Sequence, residues 1–365
     1  RKDKLSLNIT RCGKILWNIF LFRKLDTIFR IIPIIVKMPF YNFYIKKIRG
    51  QSAWYKNIIP SETKRNAFYS IFRKTDKKSE IDKFHKWLCG VVDGDGTFYF
   101  SKTRDNYWTF YFKVGQSNYN LRILYFIKTK LGYGSVNVPN SKDNIAEFRI
   151  RDQIVIIKVI LPIFDKYPLL TSKQFNYEIF REALLINTNK KISLENRNIE
   201  LEKLKSMIKP VNFVSKVFHD TFEFSKGNVE TIISKEWLVG FTEAEGSFYL
   251  VRKGSKRIAH IFEITQKLDK IVLEAIAVIL DMKVVEKSTY NTVLTCNQKS
   301  IYRVIEYFNG QIKGIKAVEY RIWSRSFNKK YSFEELIKIQ EQIRRLRSTR
   351  NHSFPDILIL KLYYL

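Results

Sequence analysis

The chain has three cysteines in 365 residues, Cys12, Cys89 and Cys296, too few and too scattered for a disulfide framework or a zinc site. A reducing compartment is expected. Histidine is as scarce: His85, His219, His260 and His352 show no ligand spacing and read as solvated or core residues. Long apolar runs are missing too. The stretches ILWNIFLF at 15–22 and IIPIIV at 31–36 are separated by Arg and Lys, and each is too short to span a bilayer. No transmembrane helix and no membrane partner are expected. Acids are outnumbered, 35 Asp and Glu against 65 Lys and Arg, a formal net charge of +30. Such a field attracts polyanions, because neutralising phosphates with Lys and Arg releases counterions. Nucleic acid is the leading partner and an anionic membrane surface the competitor. Metal chemistry, without Cys or His ligands, falls to carboxylate oxygens, which suit Mg²⁺.

What the sequence does contain is a folded composition, 45% hydrophobic and 15% aromatic, and a thirteen-residue block that occurs twice. The copies are WLCGVVDGDGTFY from Trp87 to Tyr99 and WLVGFTEAEGSFY from Trp237 to Tyr249. Asp93 and Asp95 of the first stand where the second has Glu243 and Glu245. A duplicated acidic motif implies two similar halves. Five segments follow: a basic N-terminal extension at 1–80, a first repeat at 81–189, a linker at 190–230, a second repeat at 231–330 and a helical tail at 331–365. The extension carries 19 Lys and Arg against 5 Asp and Glu and imitates an organellar import signal, although it is long for one. A chain opening on Arg1 is expected to be a fragment or a processed product.

Within the first repeat, residues 97–102 and 107–114 alternate aromatic and polar side chains about Asp105 and Asn106, which predicts a β-hairpin. Leu121, Leu124, Ile127 and Leu131 predict a helix stopped by Gly132 and Gly134. Two strands follow in GSVNV and AEFRI, then helices at 152–163, ended by Pro162 and the Tyr167-Pro168 pair, and at 172–187. The order is αββαββα. The second half repeats it, with a hairpin at 247–265, a helix at 270–280, strands at 283–287 and 292–296, and two helices. A helix is expected at 194–207 in the linker and a surface helix at 332–347 in the tail.

In the motif, Gly90 and Gly94 lie four residues apart, and Gly240 and Ala244 repeat the spacing. Small residues at that interval allow close approach of two helix backbones. The two motif helices are therefore expected to pack together, placing Asp95 and Glu245 side by side. Neighbouring carboxylates repel unless a cation lies between them, and Mg²⁺ is the natural one. Asp93 and Glu243 point elsewhere on the helix and are expected to cap or hydrogen-bond backbone. The bland reading is that all four acids merely end helices, where they oppose the macrodipole.

LCGVVDGDG at Leu88 to Gly96 and LVGFTEAEG at Leu238 to Gly246 resemble the signature of LAGLIDADG homing endonucleases and group I intron maturases, matching five and four of its nine letters. The resemblance covers residues 84–328. It implies an α+β fold of two pseudo-symmetric αββαββα repeats whose saddle-shaped antiparallel sheets face the major groove of double-stranded DNA. It implies Asp95 and Glu245 as metal ligands, with Gln116, Gln266, Lys173 and Lys316 beside the scissile phosphates. Each Gln lies 21 residues beyond its acid, and each Lys lies four before a Tyr. Sequence reading falls to hairpin side chains including Ser101, Lys102, Arg104, Lys113, Arg252, Lys253 and Arg257.

The resemblance implies a monomeric, Mg²⁺-dependent, intron-encoded endonuclease that makes a double-strand break at an intron insertion site. The alternative is a maturase that binds its own group I intron RNA, and a DNA-binding regulator on the same scaffold ranks below both. The Lys, Asn, Ile, Phe and Tyr bias fits an AT-rich organellar genome. A mitochondrion is expected, with a chloroplast as the other setting.

Overall fold

The computed structural model describes residues 62–138, 145–218, 223–329 and 331–348, with side chains from residue 78 onward. The chain divides into two compact units, Arg1–Lys78 and Ser79–Leu365. Of the first, only the beginning of α1 (Glu62–Asp95) is described, so residues 1–61 of the expected basic extension lie outside the described residues.

The second unit holds both repeats. After α1 come β1 (Gly96–Lys102), β2 (Trp108–Ser117), a 3₁₀ turn at Asn118–Asn120, α2 (Leu121–Leu131), β3 (Ser135–Asn137) and β4 (Ile145–Ile150). A short α3 (Gln153–Val155) passes through a π turn (Ile156–Ile160) into α4 (Leu161–Lys166), and α5 (Lys173–Thr188) closes the repeat. Two connecting helices follow, α6 (Leu194–Ser206) and α7 (Lys226–Ile232). The second repeat runs α8 (Lys235–Glu245), β5 (Gly246–Arg252), β6 (Ile258–Gln266), α9 (Lys270–Leu280), β7 (Val284–Glu286), β8 (Asn291–Thr295), α10 (Gln298–Phe308) and α11 (Lys316–Asn328), with α12 (Phe333–Ser348) after it. The strand orders are β1-β2-β4-β3 and β5-β6-β8-β7, every pair antiparallel. This is the α+β arrangement of two αββαββα repeats.

Local chemistry explains the elements. Period-two alternation gives β1 and β2 one buried face, where Phe98, Phe110 and Phe112 pack against Phe164 of α4 and Phe180 of α5. Burying one such ring stabilises the fold by about 2 kcal/mol. Asn106 takes φ 62° in the β1–β2 turn, a conformation Asn tolerates. Helix α2 buries Ile123, Leu124, Ile127 and Leu131, and Gly132 at φ 76° ends it. In the second repeat Phe248, Phe262, Phe308 and Trp323 form the corresponding core.

Two expectations need correction. The helix at 152–163 does not stop at Pro162; it continues to Lys166. Leu161 N–H bonds the Ile156 carbonyl, the wider spacing of a π turn, and Pro162 sits in the first turn of α4, where its missing N–H costs least. The helix expected at 194–207 forms as α6, which buries Leu201 and Leu204 and accepts a hydrogen bond at Asn198 from Trp108 Nε1, 2.9 Å. The tail helix is not confined to the surface. Ile343 of α12 is buried, Gln340 Nε2 donates to the Leu250 carbonyl at 2.7 Å, and Arg347 donates to the Phe248 carbonyl at 3.1 Å. Those bonds satisfy the open edge of β5.

No helix among the described residues is long and apolar enough to cross a membrane.

Candidate functional site

The site grows from the contact between α1 and α8. A Cβ on Gly90 would collide with the Trp237 carbonyl and lie 2.7 Å from Phe241 N, and a Cβ on Gly240 would collide with the Trp87 carbonyl and lie 3.0 Å from Val91 N. The two backbones touch at mirrored positions. One turn further on, Gly94 lies against Ala244 and within reach of the Glu245 side chain, whose Oε1 would be 3.5 Å from a Cβ there. Each helix ends on its second acid, Asp95 or Glu245, because a glycine opens the next strand.

Asp93 and Glu243 turn away from that junction and bind backbone. Asp93, 3% exposed, accepts from Leu170 N at 3.0 Å, Thr171 N at 2.9 Å, Thr171 Oγ1 at 2.6 Å and Trp237 Nε1 at 2.7 Å. Burial pushes it up to about 6 against those donors. Glu243, also buried, accepts from Lys313 N and from Gly314 N at 3.0 Å, and burial raises it too. Both acids fasten the loop that leads into a lysine helix.

The lysines close the helix ends. Lys173 Nζ donates to the carbonyls of Val92, at 3.2 Å, and Gly94; Lys316 Nζ donates to those of Thr242, at 3.2 Å, and Ala244, at 2.8 Å. A cation at a helix C-terminus opposes the negative end of the dipole and offsets the acid beside it. Lys173 is held below its ordinary value by burial, opposed chiefly by Asp95. Asp95 is pushed up to about 6, first by burial; Lys316 then pulls it down, and neighbouring Glu245 pushes it up. The charges of both repeats therefore meet at one point.

Gln116 Nε2 donates to Asp95 Oδ2, and Asn120 Nδ2 donates to Gln116 Oε1 at 2.7 Å. Gln266 occupies the matching end of β6 but makes no side-chain hydrogen bond to Glu245 among the described residues. A cleft of about 350 Å³ opens beside Asp95, lined by Gly94, Thr97, Phe98, Lys173 and Asn176.

Of the hairpin residues, Arg104, Lys253 and Arg257 are exposed near the turns, and Lys102 is partly exposed. Ser101 lies 3.4 Å from Thr109 Oγ1, and Lys113 pairs with Glu147 at 3.5 Å. Arg252 is exposed but folds back on its own repeat: its guanidinium stacks 5.4 Å from the Phe333 ring and donates to the carbonyls of Gly254 and Ser255.

Two residues escaped the sequence reading. Asn120 Oδ1 accepts from Ile315 N at 2.9 Å, and Asp269 Oδ1 accepts from Ser172 N at 2.7 Å, so each repeat holds the loop before the other repeat's lysine. Their signal is a polar residue at the N-cap of the helix after the second strand, a position that Asn and Asp favour for local reasons alone.

A divalent cation would meet two carboxylates here; no group of three or more His, Cys, Asp or Glu side chains suited to a metal occurs among the described residues. That donor set fits a hard cation of the Mg²⁺ kind, which is held by one or two carboxylates with water and substrate phosphate completing the shell.

Comparison with known proteins agrees with this geometry. Residues 88–184 and 238–327 match the family model described as LAGLIDADG endonuclease. The chain is 37% identical over 278 residues to a probable intron-encoded endonuclease, Cox1-I1b, of Schizosaccharomyces pombe, covering 73% of this chain and 69% of that protein. It is 29% identical over 169 residues to an uncharacterized mitochondrial protein, RF1, of Saccharomyces cerevisiae, covering 46% of this chain and 33% of that one. Among solved structures, the meganuclease I-SmaMI bound to an uncleaved DNA target in the presence of calcium ions superposes with a TM-score of 0.60 at 24% identity, over 74% of this chain and 99% of that one. Two motif regions spread over half the sequence, and helices that meet where those motifs require, place this chain in the LAGLIDADG endonuclease family.

Proposed function

We propose that this chain is an intron-encoded, site-specific DNA endonuclease that cuts both strands of a duplex at an intron insertion site. The observation that carries the reading is the pairing of Asp95 with Glu245 at the ends of two glycine-packed helices, each end held by its own repeat's lysine. The names of the relatives support it. Intron RNA binding draws on the same overall charge, and no separate feature of the described residues favours it.

In this reading Asp95 and Glu245 supply oxygen ligands for Mg²⁺. When bound, the ion lowers the pKa of a bound water and stabilises the leaving oxygen. Gln116 fixes the Asp95 carboxylate in one orientation, itself fixed by Asn120. Lys173 and Lys316 bring positive charge to where phosphate oxygens would lie, while Asn120 and Asp269 hold both lysine loops in register. Gln266 and the basic hairpin tips complete the duplex-facing set. One chain supplies both halves, so the active form is a monomer, and the relatives' names favour a mitochondrial setting.

The test is cleavage of DNA carrying the uninterrupted exon junction, with Mg²⁺ and with EDTA. The intact chain should cut only with metal, and Asp95→Asn and Glu245→Gln should each abolish cutting. Cutting in EDTA, or by either variant at the wild-type rate, overturns the assignment.

A further inference from the structure

The outer faces of the two sheets, which pack against none of the core, are chemically unlike. Strand register places Lys113 and Arg149 side by side on the first face, between Thr97 and Ser135. Arg151 follows β4, its guanidinium 5.1 Å from the centre of the Tyr111 ring, and Glu147 pairs with both Lys113 and Arg149. Of the strand residues on this face, Ile145 alone is aliphatic.

The second face has no Lys or Arg at any outward strand position. The row Tyr249–Ile261, the row Val251–Ala259 and the row Glu263–Leu294 lie across it, with Val285 opposite Thr292 beyond them. Val251, Ile261 and Leu294 belong to no part of the core cluster, although Ile261 is 2% exposed. Their neighbours on the same strands, Leu250, Phe262 and Val293, do. The single charged strand residue is Glu263, which accepts from Tyr249 Oη at 2.6 Å and Thr292 Oγ1 at 3.1 Å; the guanidinium of Arg347, from α12 beside the β5 edge, lies 5.5 Å from the centre of the Tyr249 ring.

A carboxylate at the centre of this face repels phosphate, and aliphatic side chains gain nothing from the sugar-phosphate backbone. In the major groove only thymine presents a methyl group, and the adenine paired with it presents an N6 amino donor that a carboxylate oxygen can accept. Val251, Ala259 and Leu294 match the first, Glu263 the second. The first face offers what guanine O6 and N7 accept, ammonium and guanidinium donors. We propose that the second repeat reads an A·T-rich half of the DNA target through thymine methyl groups, while the first reads its half through Lys113, Arg149 and Arg151. The proposal rests on the endonuclease reading above and names the substrate class of one half of that site.

The experiment is selection of bound duplexes from a random DNA library by the full chain in EDTA, followed by replacing thymine with deoxyuridine in each half of the selected duplex in turn. One half should emerge A·T-rich and lose about fourfold in affinity for each contacted methyl removed, the value of one buried methyl group. The other half should change less than twofold. A chain carrying Val251→Ser and Leu294→Ser should bind thymine and uracil duplexes alike, whereas Arg149→Ala should keep the methyl dependence. Two halves equally tolerant of uracil overturn the proposal and leave the endonuclease reading standing. So does methyl dependence that survives the double substitution. Selection of no duplex at all overturns both. The uracil comparison uses the unaltered chain, so it decides the matter even if a variant fails to fold.

Discussion

The two repeats share a motif helix, a strand order and a lysine clamp, yet the first acid of each motif is used differently. Asp93 reaches its own loop and also the indole of Trp237 across the interface. Glu243, one methylene longer, is taken up by Lys313 and Gly314, and the indole Nε1 of the matching Trp87 is buried without a partner among the described residues. The second acids differ too, since Gln116 donates to Asp95 while Gln266 makes no such bond to Glu245 among the described residues. Duplication set the frame, and divergence then acted on single hydrogen bonds. The symmetric features lie on the axis between repeats, where a change in one half is felt by both, and the asymmetric ones lie one shell out.

That comparison can be broken most severely at the axis. Gly90→Ala and Gly240→Ala each drive a methyl into the facing backbone and should cost about 3 kcal/mol, the upper end of overpacking. Equal drops in melting temperature are expected, and a large drop for one alone would show that the halves do not share the axis.

Next comes His260, which sits in the second sheet where the first has buried Phe110, opposite Leu250 as Phe110 is opposite Phe100. Burial pushes it down to about 4, and its Nε2 lies 2.8 Å from Ser326 Oγ. The unfolded chain takes up the proton below about 6.5 and the folded chain only below about 4. Stability is therefore full above that window and falls as pH drops through it, by up to about 3 kcal/mol. Urea unfolding at pH 7 and pH 4.5 should show this loss in the wild type and a smaller one in His260→Phe, which makes the two cores alike.

The third contrast is catalytic. Gln116→Ala removes the donor on Asp95 and should slow cleavage at least about tenfold, as expected for one hydrogen bond to a charged group. Gln266→Ala should slow it less, and equal losses in single-turnover assays would mean that Gln266 engages Glu245 once DNA is bound. The smallest effect concerns the indoles. Trp237→Phe removes one donor from Asp93 Oδ2, which keeps Leu170 N, and should destabilise by about 1 kcal/mol more than Trp87→Phe, whose indole N–H has no bond to lose.

Legibility followed the range of the interaction. The hairpins, α2 and the motif helices could be read because alternation, small-residue spacing and glycine stops are local signals. Pro162 misled because a π turn absorbs it, and the decision depends on how Ile156 and Ile160 are buried rather than on the proline. The roles of α6 and α12 were hidden for a similar reason. Leu201, Leu204 and Ile343 look like the sparse apolar residues of surface helices until a buried face or an open strand edge receives them. At the site, the motif exposed the two second acids and the 21-residue spacing marked both glutamines. Asn120 and Asp269 stayed unseen because their partners, Ile315 and Ser172, belong to the other repeat.

By itself the sequence determined that two like halves exist, that each carries its acid at a helix end, and that the chain's charge favours a polyanion. These follow from identity, periodicity and charge, which need no coordinates. Tertiary structure alone decided which carboxylate is clamped, which indole is left unpaired, and that one sheet face is cationic while the other is aliphatic. Those outcomes depend on register and on contacts between residues as far as 195 positions apart, where a one-residue slip would turn every side chain to the opposite face.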